Sequence, residues 1–529
     1  MSDKRVDLLE DEYNNAPYQS FAFSQTHPTH LYTLAKLFGL NPPPVEKAKV
    51  LELGCASGGN LIPMAFHYPN AEFLGIDLAD KQVVVGQKII QDMNLKNIHL
   101  EHKSISDFTP KDGKFDYIIC HGVYSWVSDE VREDILKICH ENLNQNGIAY
   151  VSYNTFPGWN MVNSVRDMMF WHTKNIKDPP TRAKQARSLL KFITDGLQDD
   201  RSPYAMFLKG EIAVLSKHPD SYLLHDHLSS FNQPVYFYQF MEAANKQQLS
   251  YLSDAHLATM YTDNLPPQFS NELKKVNNII VIGQYMDYIR NQRFRSTLLC
   301  HQDVQVNRAL KTNDIENHYL QFIGKPSEPN FNEKGIQEGI ELTFTHGPIS
   351  LKVKNKISQM ALLVLYENRF KPIHYNELCD KVMTKTQVKD LSLVKKHLND
   401  DLNILRCAFA GLMNLFSYAP IYTLEVSEKP VACPLARYLA TVQNYVTNRR
   451  HEPVNLDPVA KVLLPHLDGT KSHQELEKFI EAELENGNLK AFDKDKNPIQ
   501  DKNEIKKQVA LFCKSSLENM AKQALLISG

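Results

Sequence analysis

Three acids, Glu52, Asp77 and Asp107, each lie at or just after a short apolar run, and the first leads into a loop of small residues, ELGCASGGN. Glycine has no Cβ to clash and tolerates positive φ, so Gly54, Ala56, Ser57, Gly58 and Gly59 let backbone N–H groups approach a bound ligand. The discriminating residue is Glu52, two positions before Gly54. A carboxylate there repels a pyrophosphate and stabilises a cation. S-adenosylmethionine, whose methionyl part carries an ammonium and a sulfonium, fits this electrostatically. Asp77, 19 residues beyond Gly58, can accept from both ribose hydroxyls. Asp107, in SISDF, can accept from an exocyclic amine such as adenine N6. Asp77 or Asp107 alone would more often be a helix cap. Together, at successive carboxyl ends of a parallel sheet, the three acids converge on one crevice.

Transfer of a methyl group from such a cofactor is an in-line displacement that needs positioning and requires neither a metal nor a covalent residue. The acceptor side is read from HGVYSWV, where Tyr124 and Trp126 would stand beside the methyl group, and from Tyr153, Asn154 and Trp159 past the fifth apolar run. The backbone carbonyl of His121 or Gly122 can accept from the methionyl ammonium. Tyr18, Phe21, Phe23 and His27 can fold over the cofactor as a lid. Any one of these aromatics can equally be packing, and His121 reads as structural before it reads as a general base. A lysine acceptor, with a reference pKa of about 10.4, must lose a proton before it attacks, which a partly dehydrated aromatic pocket favours. His225, Asp226 and His227 lack further ligands and suit a structural or substrate-facing role, so no metal is expected.

The elements that must position these residues are legible in the alternation from Lys49 to Tyr153. The runs KVLEL, AEFLGID, NIHLEH, FDYIICHG and GIAYVSY read as strands covered on both faces. Helical patterns fall between them at Asn60–His67, Ala79–Met93 and Asp129–Asn142. QLSYLSD and RFRSTLLCH are expected to complete the same sheet after a helical insertion, and GKPSEPN has linker chemistry. At 529 residues the chain exceeds one core, since single cores stop growing at roughly 250–300 residues. With 59 basic and 61 acidic side chains, no strongly charged partner is implied. The eight cysteines form no CxxC pair, which suggests reduced thiols rather than a zinc or disulfide framework. The opening MSDKRVDLLEDEY lacks an apolar signal region and no 18-residue apolar stretch occurs, so a cytoplasmic protein is expected.

At these residues the sequence resembles the class I S-adenosylmethionine-dependent methyltransferases over roughly 49–153, with Ala56 where the usual ExGxGxG loop has its middle glycine. The resemblance implies a Rossmann-like core with a seven-stranded, mostly parallel sheet. It also implies that Glu52, Gly54, Cys55, Ala56, Ser57, Gly58 and Asn60 meet the methionyl part, Asp77 with Leu78 the ribose, and Ser106 with Asp107 the adenine. PYQSFAFSQTHP, CHGVYSWV, YNTFPGWN and VRDMM look like bacterial methyltransferases that carry a regulatory domain, a group including rickettsial protein-lysine methyltransferases that act on outer-membrane proteins. That narrower resemblance implies lysine methylation of a protein substrate and a homodimer. The expected divisions are an N-terminal lid segment 1–47, a core 48–172, and a dimerisation-type insertion completing the sheet at 173–305. A middle regulatory domain 306–428 and a C-terminal domain 429–529 follow, both α+β, for which a winged-helix shape is expected. The rivals are a methyltransferase acting on a small molecule or nucleic acid, a nicotinamide oxidoreductase, and a non-catalytic cofactor-binding scaffold. CHGVY in place of an N/D-P-P-Y stretch, Cys120 following Ile119 rather than proline, and the balanced charge disfavour a nucleic-acid enzyme. Glu52 and Ala56 disfavour the oxidoreductase.

Overall fold

The computed structural model describes residues 19–328, 331–336, 339–490 and 502–528. Five parallel strands carry the first part of the chain: β1 (Lys49–Leu53), β2 (Glu72–Asp77), β3 (Ile98–His102), β4 (Phe115–Cys120) and β5 (Leu143–Asn154). Two more close the sheet, β6 (Leu249–Asp254) and β7 (Phe294–His301), in the order β3-β2-β1-β4-β5-β7-β6, with β7 antiparallel to both neighbours. Leu51, Ile118, Ala149 and Leu299 are fully enclosed. Such burial on both faces explains why the strands read as unbroken apolar runs. The order reverses at β1 and β4, so the loops after them open one crevice at the carboxyl ends of the strands.

The helices α1 (Leu61–His67), α2 (Asp80–Asp92) and α3 (Asp129–Glu141) connect these strands. After β5 the chain leaves the sheet through α4 (Gly158–Thr173), α5 (Pro179–Gly196) and α6 (Pro203–Leu215). These helices hold a separate small core of Val165, Met169, Ala186, Leu190, Leu208, Leu215, Leu223 and Leu228. The chain returns through α7 (Phe237–Lys246) and α8 (Ile279–Arg290), which flank β6 and lead into β7. Arg295 of β7 locks this return. It bonds Asp254 of β6 and Asp287 of α8, all three buried, while its guanidinium lies 3.8 Å from the centroid of the Phe237 ring.

The chain divides into two compact units, one containing Leu34–Arg308 with Gln19 and Ser20, the other Phe21–Thr33 and the residues from Ala309. In the second unit the described part of GKPSEPN, residues 324–328, includes a short strand. Lys325–Pro326 is a strand against Thr345 and Phe344 at the edge of a three-stranded sheet. An edge tolerates proline because its missing N–H is not needed by a neighbour. The helix Lys356–Glu367 is buried along most of its length, and the strand pair Val431–Ala432 with Leu526–Ile527 ties the two ends of the last module.

Candidate active site

The loop after β1 is held from several sides. Gly54 and Cys55 donate to the Ile76 carbonyl at 2.9 and 3.1 Å. A Cβ on Gly54, at φ +76°, would stand 2.4 Å from Val123 Cγ2. One on Gly75 would meet Cys55 Sγ at 2.8 Å, and one on Gly86 the Ser57 carbonyl at 2.6 Å. The cradle therefore needs glycines on β2 and α2 as well as its own. Gly86 carried a signal, because glycine inside a helix costs roughly 1 kcal/mol against alanine and marks a close approach. Burial pushes the Cys55 thiol well up, which leaves it as packing.

Ala56 stands in the left-handed region at φ +49°. Its N–H donates to Asp77 Oδ2 at 2.7 Å, and Asp77 Oδ1 accepts from Ala79 N–H at 2.8 Å. The carboxylate expected to take the ribose is thus also the clasp of the loop. An L-residue pays about 1–2 kcal/mol to sit in that conformation, and glycine pays about 0.5–1 kcal/mol in lost freedom instead. Ala56→Gly is expected to stabilise the protein by roughly 0.5–1 kcal/mol with cofactor affinity unchanged, measured by denaturant unfolding and calorimetry.

Glu52 is 3% exposed. Asn60 Nδ2 donates to its Oε1 at 2.8 Å, and Oε2 is buried with no hydrogen-bond partner. Burial pushes its carboxyl up to about 8, against the Asn60 hydrogen bond and with a further push from the Asp77 charge. A buried carboxylate oxygen without a donor, beside a second acid, is a site for a cation. Ala56, Ser57, Asp77 and Leu78 are half-buried along the same loops. The residues present therefore fit a methionyl group and its ribose. Ser106 and Asp107 are exposed on a short helical turn, and Ser106 Oγ donates to Asp134 at 2.6 Å. Tyr18 lies outside the described residues. Sequence reasoning missed Ser20, whose Oγ accepts from Gly59 N–H at 2.8 Å and whose carbonyl would lie 2.0 Å from a Cβ on Gly59. Of the expected lid aromatics, Phe21 and His27 are engaged by Tyr445 and His451 within the second unit.

On the acceptor side the residues separate. Tyr124 is 3% exposed, its ring among Tyr153, Phe240 and the Arg132 guanidinium, so it is a core side chain here. Burial holds the Tyr124 hydroxyl up at about 12. Arg132 also donates to the Tyr124 and Gln233 carbonyls. His121 Nδ1 lies 2.9 Å from Tyr150 Oη and 3.2 Å from Ser152 Oγ, and Ser152 Oγ accepts from Gly122 N–H at 2.8 Å. Burial pushes the imidazole down to about 4. It is neutral and a weak base, built into the support of Gly122. Trp126 is half-buried and meets Trp159 edge-on at 6.4 Å, and Trp159 stacks on His227 at 6.3 Å. Asn154 N–H donates to Ser125 Oγ at 2.8 Å and its side-chain amide to Asn232 at 3.0 Å. Ser125 and Asn232 carried no signal in the sequence. Among the described residues no group of His, Cys, Asp and Glu is arranged to hold a metal.

A seven-stranded sheet of this order, with a glycine cradle after its first strand and an unsatisfied acid beside it, is an S-adenosylmethionine-dependent methyltransferase. A methyltransferase-domain profile matches residues 50–147, a predicted methyltransferase regulatory-domain profile 219–301, and a profile for the PKMT C-terminal winged helix domain 428–525. The regulatory-domain match covers the segment that closes the sheet with β6 and β7. An uncharacterized protein of Rickettsia prowazekii is 39% identical over 97% of this chain and 93% of its own length. The solved structure of PKMT2 from Rickettsia typhi superposes with a TM-score of 0.87 at 38% identity, covering 97% of this chain and all of that one. The same protein in complex with AdoHcy gives a TM-score of 0.89 at 37% identity. The chain belongs to this PKMT family of methyltransferases.

Proposed function

We propose that the enzyme methylates the ε-amino group of lysine side chains in a protein. The whole-chain likeness to PKMT2 carries this reading, and the acceptor side is consistent with it. S-adenosylmethionine supplies a methyl group activated by its sulfonium. The chain would hold it through Glu52 and the loop Gly54 to Asn60, through Asp77 with Leu78, through Ser106 and Asp107, and through the backbone at His121 and Gly122. Tyr18 remains a proposed cofactor contact. Trp126, with Asn154 and Trp159 behind it, forms the proposed wall for the acceptor, while Tyr124 and His121 support that wall. An imidazole with a value near 4 cannot take a proton from an ammonium near 10.4 at useful rates. Loss of the lysine proton is therefore assigned to desolvation against the rings, which favours the neutral amine.

Trp126→Ala is expected to lower methyl transfer about 100-fold, the scale for a misplaced reactant, with the dissociation constant for S-adenosylhomocysteine unchanged. Equal losses in both would move Trp126 to the cofactor site. The function itself is tested by incubating the enzyme with labelled S-adenosylmethionine and a bacterial lysate, then mapping the label by mass spectrometry. Modified lysines in protein are expected; label in RNA or small molecules would overturn the reading. We assign the enzyme to the cytoplasm, where it would meet an outer-membrane or surface protein before export. No described helix is long and apolar enough to cross a membrane. Trp171, Phe192, Tyr204 and Met206 stand 56–76% exposed on the inserted helices, which supports self-association as a homodimer through α4 to α6.

A further inference from the structure

Beyond β5, rings gather that neither the core nor the proposed catalytic wall uses. Phe156, two residues past Asn154, donates its N–H to the Val235 carbonyl at 3.2 Å, and its ring lies 5.3 Å from Tyr236. Tyr236 stacks on Tyr238 at 5.7 Å and meets Tyr288 at 5.9 Å; Tyr285 meets Tyr288 at 6.4 Å. Tyr238, Tyr285 and Tyr288 are 38%, 51% and 47% exposed. The same helices already bury their inner faces, α7 through Phe237, Phe240 and Met241, α8 through Gln284, Met286 and Asp287. The outward tyrosines therefore contribute little to folding. Their place beyond the end of β5 is specific. Val235 donates to the Asn154 carbonyl at 3.1 Å, and Phe294, 40% exposed, is the cross-strand partner of Asn154 with its ring 6.1 Å from His121.

We infer that this aromatic surface, Phe156 with Tyr236, Tyr238, Tyr285 and Tyr288, holds the polypeptide that flanks the residue to be methylated. The inference rests on the protein-substrate reading above. Continuity decides the occupant, because the surface begins two residues from Asn154 of the proposed wall and is tied to it through Val235. Chemistry agrees. Tyrosine presents a large rigid apolar face with a hydroxyl that stays wet, which suits contacts made and broken at each turnover. Its ring also attracts the ammonium groups of neighbouring lysines. A second copy of this chain has a more apolar patch available on the inserted helices, with Trp171, Phe192 and Met206.

The test uses the full-length enzyme and the double variant Tyr285→Ser/Tyr288→Ser on an array of lysine-containing peptides, each printed in a short and a long form around the same lysine. Binding of labelled enzyme and methyl transfer are read separately. The wild type is expected to bind and turn over the long forms at least tenfold better than the short ones, through KM. The double variant is expected to lose that advantage, with kcat and S-adenosylhomocysteine affinity unchanged. Equal preference for long forms in both proteins would overturn the inference, as would failure of the wild type to bind any peptide. A variant that sediments as a smaller species while keeping its peptide binding would assign the surface to self-association and overturn it likewise. If length-dependent binding is lost in the variant but the label falls on residues other than lysine, the surface stands and the lysine reading fails.

Discussion

Asp77→Ala is expected to raise the dissociation constant for S-adenosylhomocysteine about 100-fold, close to 3 kcal/mol. A ribose contact alone would account for less. The Asp77 carboxylate accepts from the Ala56 and Ala79 N–H groups as well, and each buried donor left without a partner costs about 1–3 kcal/mol. Ala56 is held at φ +49°, a conformation that needs its anchor, so the loop is expected to relax toward ordinary backbone angles once the clasp is gone. Asp77→Asn separates the two duties. The amide oxygen can serve one N–H, while its NH2 group faces the other donor, so an intermediate loss near tenfold is expected. Titration calorimetry with S-adenosylhomocysteine reads the affinities, and thermal unfolding reads the loop. A drop in unfolding temperature with unchanged affinity would leave Asp77 as a clasp and remove it from the ribose role.

This double duty shows where sequence reasoning stopped. The sheet was legible because strands buried on both faces have a near-continuous apolar signature, and its last two strands, QLSYLSD and RFRSTLLCH, were short enough to be recognised across a long insertion. Their order, and the antiparallel β7 between β5 and β6, left no periodic trace. The acids Glu52 and Asp77 were legible because glycine beside a strand end is rare chemistry. The hydrogen bonds that brace the site were not. Asn60 to Glu52, Gly59 to Ser20 and Asn154 to Ser125 span 8, 39 and 29 residues of chain, and such pairings leave no local trace. Tyr124 and Trp126 look alike in HGVYSWV, yet the helical turn Tyr124–Trp126 sends the first ring into the core against Phe240 and the second toward Trp159. Two aromatic positions separated by one residue cannot be sorted into support and wall without knowing what packs beneath them. Proline and glycine in GKPSEPN gave a linker signature to what is partly an edge strand, because composition reports the missing donor and not the neighbour that does without it.

Glu52→Gln is expected to make the enzyme more stable at pH 8 and worse at binding its cofactor. Burial raises the Glu52 carboxyl from an ordinary 4.5 to about 8, so the folded protein binds this proton more tightly than the unfolded chain does. Its contribution to stability is full below about pH 4.5 and is lost as pH rises toward 8, because the folded state then has to bear a buried charge. Glutamine removes that loss while its oxygen can still accept from Asn60. The midpoint of thermal unfolding should therefore match the wild type near pH 5 and exceed it at pH 8. Cofactor binding runs the other way. A cation beside Oε2 favours the carboxylate, so binding below pH 8 must expel the proton. Wild-type affinity is expected to fall about tenfold per pH unit from 8 toward 6, the 1.36 kcal/mol per unit of linkage, with close to one proton released. Calorimetry near pH 6.5, in buffers of different ionisation enthalpy, counts that proton directly. For Glu52→Gln the affinity should be flat with pH, about 30-fold weaker than wild type at pH 8, within the 1.5–3 kcal/mol of a charged hydrogen bond, and converging with it near pH 6.5. A wild-type affinity independent of pH, with no proton released, would mean that Glu52 is ionised before the cofactor arrives, and the stability gain in the variant should then vanish too.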